Sequence, residues 1–196
     1  MKNQIYLKIT NSNETHHGLK FKRGVIEDPL EWNNNANCEP GGIYFTTPKY
    51  ICKFLEYGIW LREVTIPDDA KIAHGDNKSK ANKLIFGKRR DLRKIKTWEW
   101  LVSIGADIHA DNDHALRMAS QKDYFDIVKY LVEQGADIHA MSDLALRWAS
   151  QYGHLDVVKY LVSKGANIHA DYDQALHWAS YNGHLDVVNY LKSIKS

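Results

Sequence analysis

Histidines recur at a fixed interval in the second half of the sequence, at His109, His139 and His169. Imidazole nitrogens are common zinc ligands, so this ladder raises the question of a metal site. Stacked helical units lie about 8–10 Å apart, whereas zinc holds its nitrogen ligands at about 2 Å. One ion therefore cannot bridge successive histidines. We predict turn histidines that bond to neighbouring backbone, with no metal and no cofactor.

A thiol with nearby imidazoles is the second candidate for chemistry. The N-terminal part contains His16, His17, Cys38 and Glu39, and a thiolate activated by histidine is a common nucleophile. The spacing does not require these side chains to meet. Two cysteines are too few for a disulfide framework. We therefore expect Cys38 and Cys52 to be free thiols and predict no catalytic residue.

The segments GGIYFTT and REVTIPDD, at 41–47 and 62–69, are the third candidate. They faintly resemble strand motifs of ADP-ribosyltransferases, and that resemblance would make His17, Tyr44 and Glu63 the analogous residues. Only 18 residues separate Tyr44 from Glu63, too few for the intervening strands of that fold. We therefore predict an ordinary sheet core and no enzyme, and we keep such an activity in residues 1–75 as the second alternative function.

The segment 78–96 is strongly basic, with nine Lys or Arg residues and one Asp. Such a cluster can bind nucleic acid, an acidic partner or a nuclear-import receptor. On a helix the charges would spread over several faces, which favours a solvated junction. An adaptor that uses this segment is the first alternative function, and its residues would be Lys88, Arg89, Arg90, Arg93 and Lys94.

An internal repeat determines the elements that must position these residues. Residues 105–134, 135–164 and 165–194 align without gaps, and the second and third units match at 20 of 30 positions. A fixed period of this length indicates stacked supersecondary units. In the middle unit the pattern predicts helices over 144–152 and 155–163, with Gly153 at the end of the first. Asp113, Asp143 and Asp173 are predicted N-caps.

The recurring motifs GADIHA, AL[RH]xAS and GHLDVVKYLVSKGA resemble the ankyrin repeat. The 30-residue GADIHA unit is similar to that of ankyrin proteins from mimivirus-type giant DNA viruses of amoebae. The resemblance implies a solenoid of helix pairs without catalytic chemistry, which binds proteins through its turns and first helices. Residues 97–104 align with a second helix, and 82–96 would be a degraded first helix in which Leu84 and Phe86 face inward.

The framework is nearly invariant between units, so the positions that differ predict the partner-binding face. They lie in the turns, at the starts of the first helices and near the ends of these helices. With two nearby arginines and a histidine they form the candidate face, made of Asp111, Asn112, His114, Arg117, Gln121, Lys122, Met141, Ser142, Leu144, Arg147, Gln151, Tyr152, Asp171, Tyr172, Gln174, His177, Tyr181 and Asn182.

The N-terminal region reads as a small α+β domain. Strand patterns occupy 4–10, 18–22, 42–46 and 60–66, a helix follows Thr47-Pro48 and ends at Gly58, and 27–41 is a loop. We predict a small α+β capping domain over 1–75, a basic junction with a degenerate leading repeat over 76–104, and an all-α solenoid of three ankyrin repeats over 105–134, 135–164 and 165–196.

Composition narrows the class of protein. With 44% apolar and 26% charged residues, the chain of 196 residues is typical of a globular protein. No apolar run approaches the ~20 residues of a membrane span, and the N-terminus lacks the apolar region of a secretory signal. We therefore expect a protein-interaction adaptor of the host cytoplasm or nucleus that is not secreted. Its partner would be a host protein, with no role for membrane and little for nucleic acid.

Overall fold

Antiparallel sheets form the first of two units into which the computed structural model divides, residues 1–107 and 108–196. The structure describes residues 4–16, 18–35 and 39–194. The strands are β1 (Tyr6–Thr10), β2 (Thr15–His16), β3 (Leu19–Lys20), β4 (Gly24–Glu27), β5 (Ile43–Phe45), β6 (Trp60–Thr65), β7 (Ile72–His74), β8 (Ser79–Ala81) and β9 (Lys83–Asp91). The larger sheet has the order β1-β6-β9-β4, the smaller one β5-β8-β7, and β2 pairs with β3.

An apolar cluster between the strands holds the first unit together. Phe21 and Phe86 stack with ring centroids 4.9 Å apart, and Leu84 and Ala81 are completely buried. Burying each large apolar side chain stabilises the fold by about 1.5–3 kcal/mol. The members of the cluster are Phe21, Ile26, Ile43, Phe45, Val64, Ala81, Leu84 and Phe86.

The helix predicted after Thr47 is present over Pro48–Tyr57, but as a 3₁₀ helix with a kink at Phe54. Its buried side chains are Ile51, Cys52 and Leu55. Gly58 follows as expected. A side chain could not fit there, because a Cβ atom would lie 2.0 Å from the Thr10 carbonyl oxygen.

The prediction of a degraded helix over 82–96 is wrong. Residues Lys83–Asp91 form strand β9, which pairs with both β4 and β6. Leu84 and Phe86 point to the buried face of the sheet and the intervening Ile85 is exposed, a period of two that belongs to strands. The sheet therefore continues past residue 75. The helix aligned with 97–104 does exist, as α1 over Ile95–Ser103.

Helices pack in pairs through the described residues of the second unit. They are α2 (Ala110–Gln121), α3 (Phe125–Glu133), α4 (Ala140–Gln151), α5 (Leu155–Ser163), α6 (Ala170–Tyr181) and α7 (Leu185–Ser193). Helix α4 packs against both α2 and α6, while α3, α5 and α7 each pack against the helix that precedes them in the chain. The helical C-terminal region and the strand-rich N-terminal region thus agree with the sequence prediction.

Three consecutive left-handed residues begin each of α2, α4 and α6. In α4 they are Met141, Ser142 and Asp143, with φ between 55° and 57°. Equivalent φ values occur at 111–113 and 171–173. The prediction that Asp113, Asp143 and Asp173 are N-caps is wrong, as the contacts of Asp143 illustrate. Its carboxylate accepts hydrogen bonds from His139 Nδ1 and from the Asn167 backbone N–H at 2.9 Å.

We expect Ser142→Gly to raise the free energy of unfolding by about 0.5–1 kcal/mol, because glycine adopts a positive φ without the steric cost of a Cβ atom. Thermal unfolding followed by circular dichroism measures this. Asn112→Gly at the equivalent position of α2 is the matched control. Its gain should be smaller, because asparagine tolerates the left-handed region better than serine. Equal or opposite changes would contradict this account.

Candidate functional site

Most of the predicted partner-binding residues are accessible in the second unit. Tyr172 is 97% exposed and Tyr181 is 84% exposed, and Met141 and Tyr152 are about half exposed. The other exposed members are Asp111, Asn112, Ser142, Asp171, His177 and Asn182, and the partly exposed ones are His114, Gln121, Lys122, Gln151 and Gln174. We call the exposed and partly exposed members the variable face.

Three predicted members, Arg117, Leu144 and Arg147, are buried, so we correct the site by removing them. Arg147 donates from Nη2 to the Met141 carbonyl at 2.7 Å and from Nε to the Ser142 carbonyl at 2.9 Å. Arg117 bonds the carbonyls of its own left-handed turn in the same way. Both arginines therefore hold turns instead of facing a partner. Arginine recurs at this position in two successive repeats, and this recurrence is the sequence signal for a framework role.

Contacts between neighbouring repeats fix several residues of the variable face. Gln121 Nε2 donates to the Tyr152 hydroxyl at 3.3 Å, and the Tyr152 ring stacks on His154. Arg147 Nη1 binds the carboxylate of Asp171 and the side-chain oxygen of Gln174. Because these contacts connect one repeat to the next, the residues of the variable face are held in a defined arrangement. Burial lowers the pKa of the Arg117 guanidinium, and the nearby Asp111 and Asp113 charges oppose this effect.

Leu185, at the start of α7, is an exposed apolar residue that the sequence analysis missed. It is 70% exposed, whereas the equivalent Leu155 is partly covered. The alignment of the repeats does not reveal this difference in exposure, because both repeats have leucine at this position.

The recurring histidines bond to side chains of their own turns. His109, His139 and His169 each donate from Nδ1 to the aspartate four residues later, which is Asp113, Asp143 or Asp173. The prediction of bonds to backbone is therefore wrong in detail, because a carboxylate is within reach at this spacing. Among the described residues, no group of three or more His, Cys, Asp or Glu side chains is placed to bind a metal ion.

The residues considered for enzyme chemistry in the first unit are separated or lie outside the described residues. Tyr44 lines a cleft, but Glu63 does not line it and accepts hydrogen bonds from Arg90. His17 and Cys38 lie outside the described residues. Cys52 is a buried free thiol, and burial raises its pKa to about 12, which disfavours the nucleophilic thiolate.

The arginines of the predicted basic patch contact carboxylates and indole rings. Arg89 pairs with Glu14, Arg90 with Glu63, and Arg93 with Asp91. Arg89 also lies over the Trp60 ring at 4.0 Å, and Arg90 over Trp100 at 3.7 Å. Lys88 and Lys94 are exposed. This pairing reduces the positive charge available to a phosphate backbone.

Glu14 sits at the centre of a buried charge network in the first unit. Arg62 binds it through two nitrogens at 2.7 and 2.8 Å. Burial alone would raise the pKa of this carboxyl, but the hydrogen bonds and charges of Arg62 and Arg89 outweigh burial and lower the pKa. The network joins the turn at Glu14 to Arg62 of β6 and Arg89 of β9.

No helix within the described residues has the length and apolar character that crossing a membrane requires.

Comparison with known proteins identifies relatives that share more of the chain than the second unit. A family profile described as "Ankyrin repeats (3 copies)" matches residues 91–172 and 142–195. Three similar proteins of Acanthamoeba polyphaga mimivirus, each named as an ankyrin repeat protein, are 42%, 41% and 35% identical to this chain over 137, 131 and 143 residues. The alignments cover 66%, 63% and 65% of this chain, and 67%, 39% and 52% of the three relatives. The chain thus spans well under two thirds of the second and third.

Proposed function

Because the chain belongs to the ankyrin-repeat family, we propose that its second unit is a solenoid of three repeats that binds a protein partner through the variable face. Residues 97–104 would contribute the second helix of a degenerate leading repeat. No catalytic chemistry is part of this proposal. The partner we propose is a protein of the infected host cell, met in its cytoplasm or nucleus, which rests on the similarity to mimivirus proteins.

The observation that carries the proposal is the contrast between the framework and the variable face. The framework side chains are buried and nearly identical between repeats, for example Val157 and Val187, which are both at 0% exposure. Tyr172 and Tyr181, by contrast, are large aromatic side chains left almost fully in water. Tyrosine is enriched at protein interfaces because it buries a large area with little loss of conformational entropy. An exposed pair on a fixed scaffold therefore supports protein recognition.

We expect the double variant Tyr172→Ala, Tyr181→Ala to bind its partner at least ~30-fold more weakly, because aromatic interface anchors each contribute about 1–3 kcal/mol. The free energy of unfolding should change by less than about 0.5 kcal/mol, because both side chains are exposed. The full chain would first capture the partner from an Acanthamoeba cell extract. Calorimetry with the purified partner then measures the affinity of each variant.

Asn189→Ala is the control for this experiment, because Asn189 is exposed on α7 outside the variable face. It should leave the affinity unchanged. Unchanged affinity in the double tyrosine variant would contradict binding through this face.

A further inference from the structure

A cleft of about 340 Å³ opens in the first unit, lined by residues between Leu7 and Lys78. Its walls come from β1, β5, the 3₁₀ helix and the loop segments 28–30 and 39–42. The apolar part of the lining includes Phe21, Ile51 and Phe54. The volume is in the range of small-molecule sites, about 300–1,000 Å³.

Lys8 of β1 brings a positive charge into this apolar lining. Its ammonium donates to the Tyr44 carbonyl oxygen at 3.0 Å and lies 5.1 Å from the centre of the Phe21 ring. Within the described part of the chain, no carboxylate lies within 4 Å of this ammonium. Lys8 is only partly exposed. Charges withdrawn from water in proteins are normally paired with an opposite charge, so Lys8 is the unusual group of the cleft.

The other charged groups that face the cleft have partners of their own. Asp28 accepts from the backbone N–H groups of Leu30 and Gly42, and Glu39 accepts from Asn33 and Asn35. The Lys78 ammonium lies over the Tyr44 ring at 4.9 Å. Arg62, the cross-strand partner of Lys8 in β6, is bound to Glu14. Lys8 is therefore the group of the cleft whose positive charge an anionic ligand would neutralise.

We propose that this cleft binds a small monocarboxylate with an apolar body, whose carboxylate pairs with the Lys8 ammonium while its body contacts Phe21 and Phe54. A cationic ligand would be repelled by Lys8. A phosphate dianion would lose more hydration energy in an apolar cleft than one ammonium returns. Burial lowers the pKa of Lys8 from 10.5 to about 8, so the amine is still largely protonated at neutral pH. The proposal is independent of partner binding by the second unit.

Three probes that share an apolar chain and differ in the head group test the proposed carboxylate preference directly: octanoate, octan-1-ol and octylamine. We expect the full chain, titrated at pH 7 and followed by two-dimensional NMR, to bind octanoate about tenfold more tightly than octanol, with octylamine weakest. This is the size of one favourable charge pair, about 1.4 kcal/mol. Equal affinity for octanoate and octanol in the unchanged protein would overturn the proposal without any variant.

Lys8→Met removes the charge and leaves an unbranched apolar side chain that is one atom shorter. It should reduce the preference for octanoate to less than about twofold and leave octanol binding within about twofold of the original. Lys22→Met, at an exposed lysine that does not line the cleft, should keep the full preference. A preference that survives Lys8→Met would show that the charge acts elsewhere.

Phe54→Ala and a pH series make the test independent of whether Lys8→Met folds. Phe54→Ala should weaken all three probes by about threefold or more and keep their order, because it removes contact with the shared apolar body. Octanoate affinity should decrease as the pH rises above about 8, the pKa of Lys8, because the amine loses its charge. Octanol affinity should stay constant over this range. The range from about one unit below this pKa to about two units above it covers the loss of the charge. An octanoate affinity that is flat over this range would also overturn the proposal.

Discussion

Gly153→Ala is expected to lower the free energy of unfolding of the second unit by about 2–4 kcal/mol, the sum of left-handed backbone strain and a lost packed hydrogen bond. Gly153 has φ +76°, and a Cβ atom there would lie 2.5 Å from His184 Nδ1 of the next repeat. His184 cannot move away freely, because its Nε2 donates to the Gln151 carbonyl at 3.0 Å. The methyl group therefore has to break either the turn or the contact between repeats.

Gly183→Ala separates these two contributions. Gly183 has the same φ of +76° but no atom within 4 Å of the position of its Cβ. Its substitution should cost only the backbone strain, about 1–2 kcal/mol. Urea unfolding of the full chain, followed by the helical circular dichroism signal, gives both values. Equal losses in the two variants would show that the His184 ring does not restrict Gly153.

A double-mutant cycle makes the assignment to His184 specific. In a His184→Ala background the ring is absent, so Gly153→Ala should cost no more than Gly183→Ala does in the original protein. A cost that stays at the higher value would mean that the methyl group collides with something other than His184. The equivalent His154 makes the same kind of bond, from Nε2 to the Gln121 carbonyl at 2.8 Å. The bond from histidine to a carbonyl therefore recurs between successive repeats. A glycine opposite the ring occurs only at Gly153, because Asp123, also with a positive φ, occupies the equivalent position opposite His154.

Sequence reasoning works for the second unit because the repeat states the same local pattern three times. Helix α5 begins and ends at Leu155 and Ser163, as predicted from its apolar stripe. The left-handed turns were not predictable in this way. Aspartate before an apolar stretch is typical of an N-cap, and only the neighbouring repeat supplies the Asn167 N–H that Asp143 binds instead. A local sequence pattern does not indicate hydrogen-bond partners that come from a neighbouring repeat.

The first unit was harder to predict because its pairings are distant in sequence. Strand β9 pairs with β4, about sixty residues earlier in the chain. The alternation of Leu84 and Phe86 was the available signal, and the alignment to a helix obscured it. The Lys8 cleft depends on β1, β5 and the 3₁₀ helix meeting in space, which no single segment of the sequence indicates. The exposed tyrosines were predictable because they differ where the framework repeats.

Arg147→Met is expected to lower the free energy of unfolding of the second unit by about 2–4 kcal/mol, because buried hydrogen bonds from a charged donor contribute about 1.5–3 kcal/mol each. The guanidinium binds the carbonyls of Met141 and Ser142 in its own turn. It also binds Asp171 and Gln174 in the next turn. Methionine keeps the volume but binds none of these oxygens. Two left-handed turns therefore lose their support together.

Two matched variants distinguish this role from a general effect of substitution. His177 is the equivalent residue of α6 and is exposed, so His177→Met should change the free energy of unfolding by less than about 0.5 kcal/mol. Arg117→Met should cost less than Arg147→Met, because the hydrogen bonds of Arg117 lie within its own turn. Denaturant unfolding measures all three, and amide hydrogen exchange at 141–143 and 171–173 locates the change.

Arg147→Lys tests the geometry of the contact. Lysine keeps the positive charge, but a single ammonium cannot replace a planar guanidinium that reaches several oxygens in fixed directions. We therefore expect it to recover less than about half of the loss caused by Arg147→Met. Full recovery would show that charge alone holds the turns. Because the two turns carry Ser142 and Tyr172 of the variable face, their amide exchange should rise together, and a rise at only one turn would contradict a shared clamp.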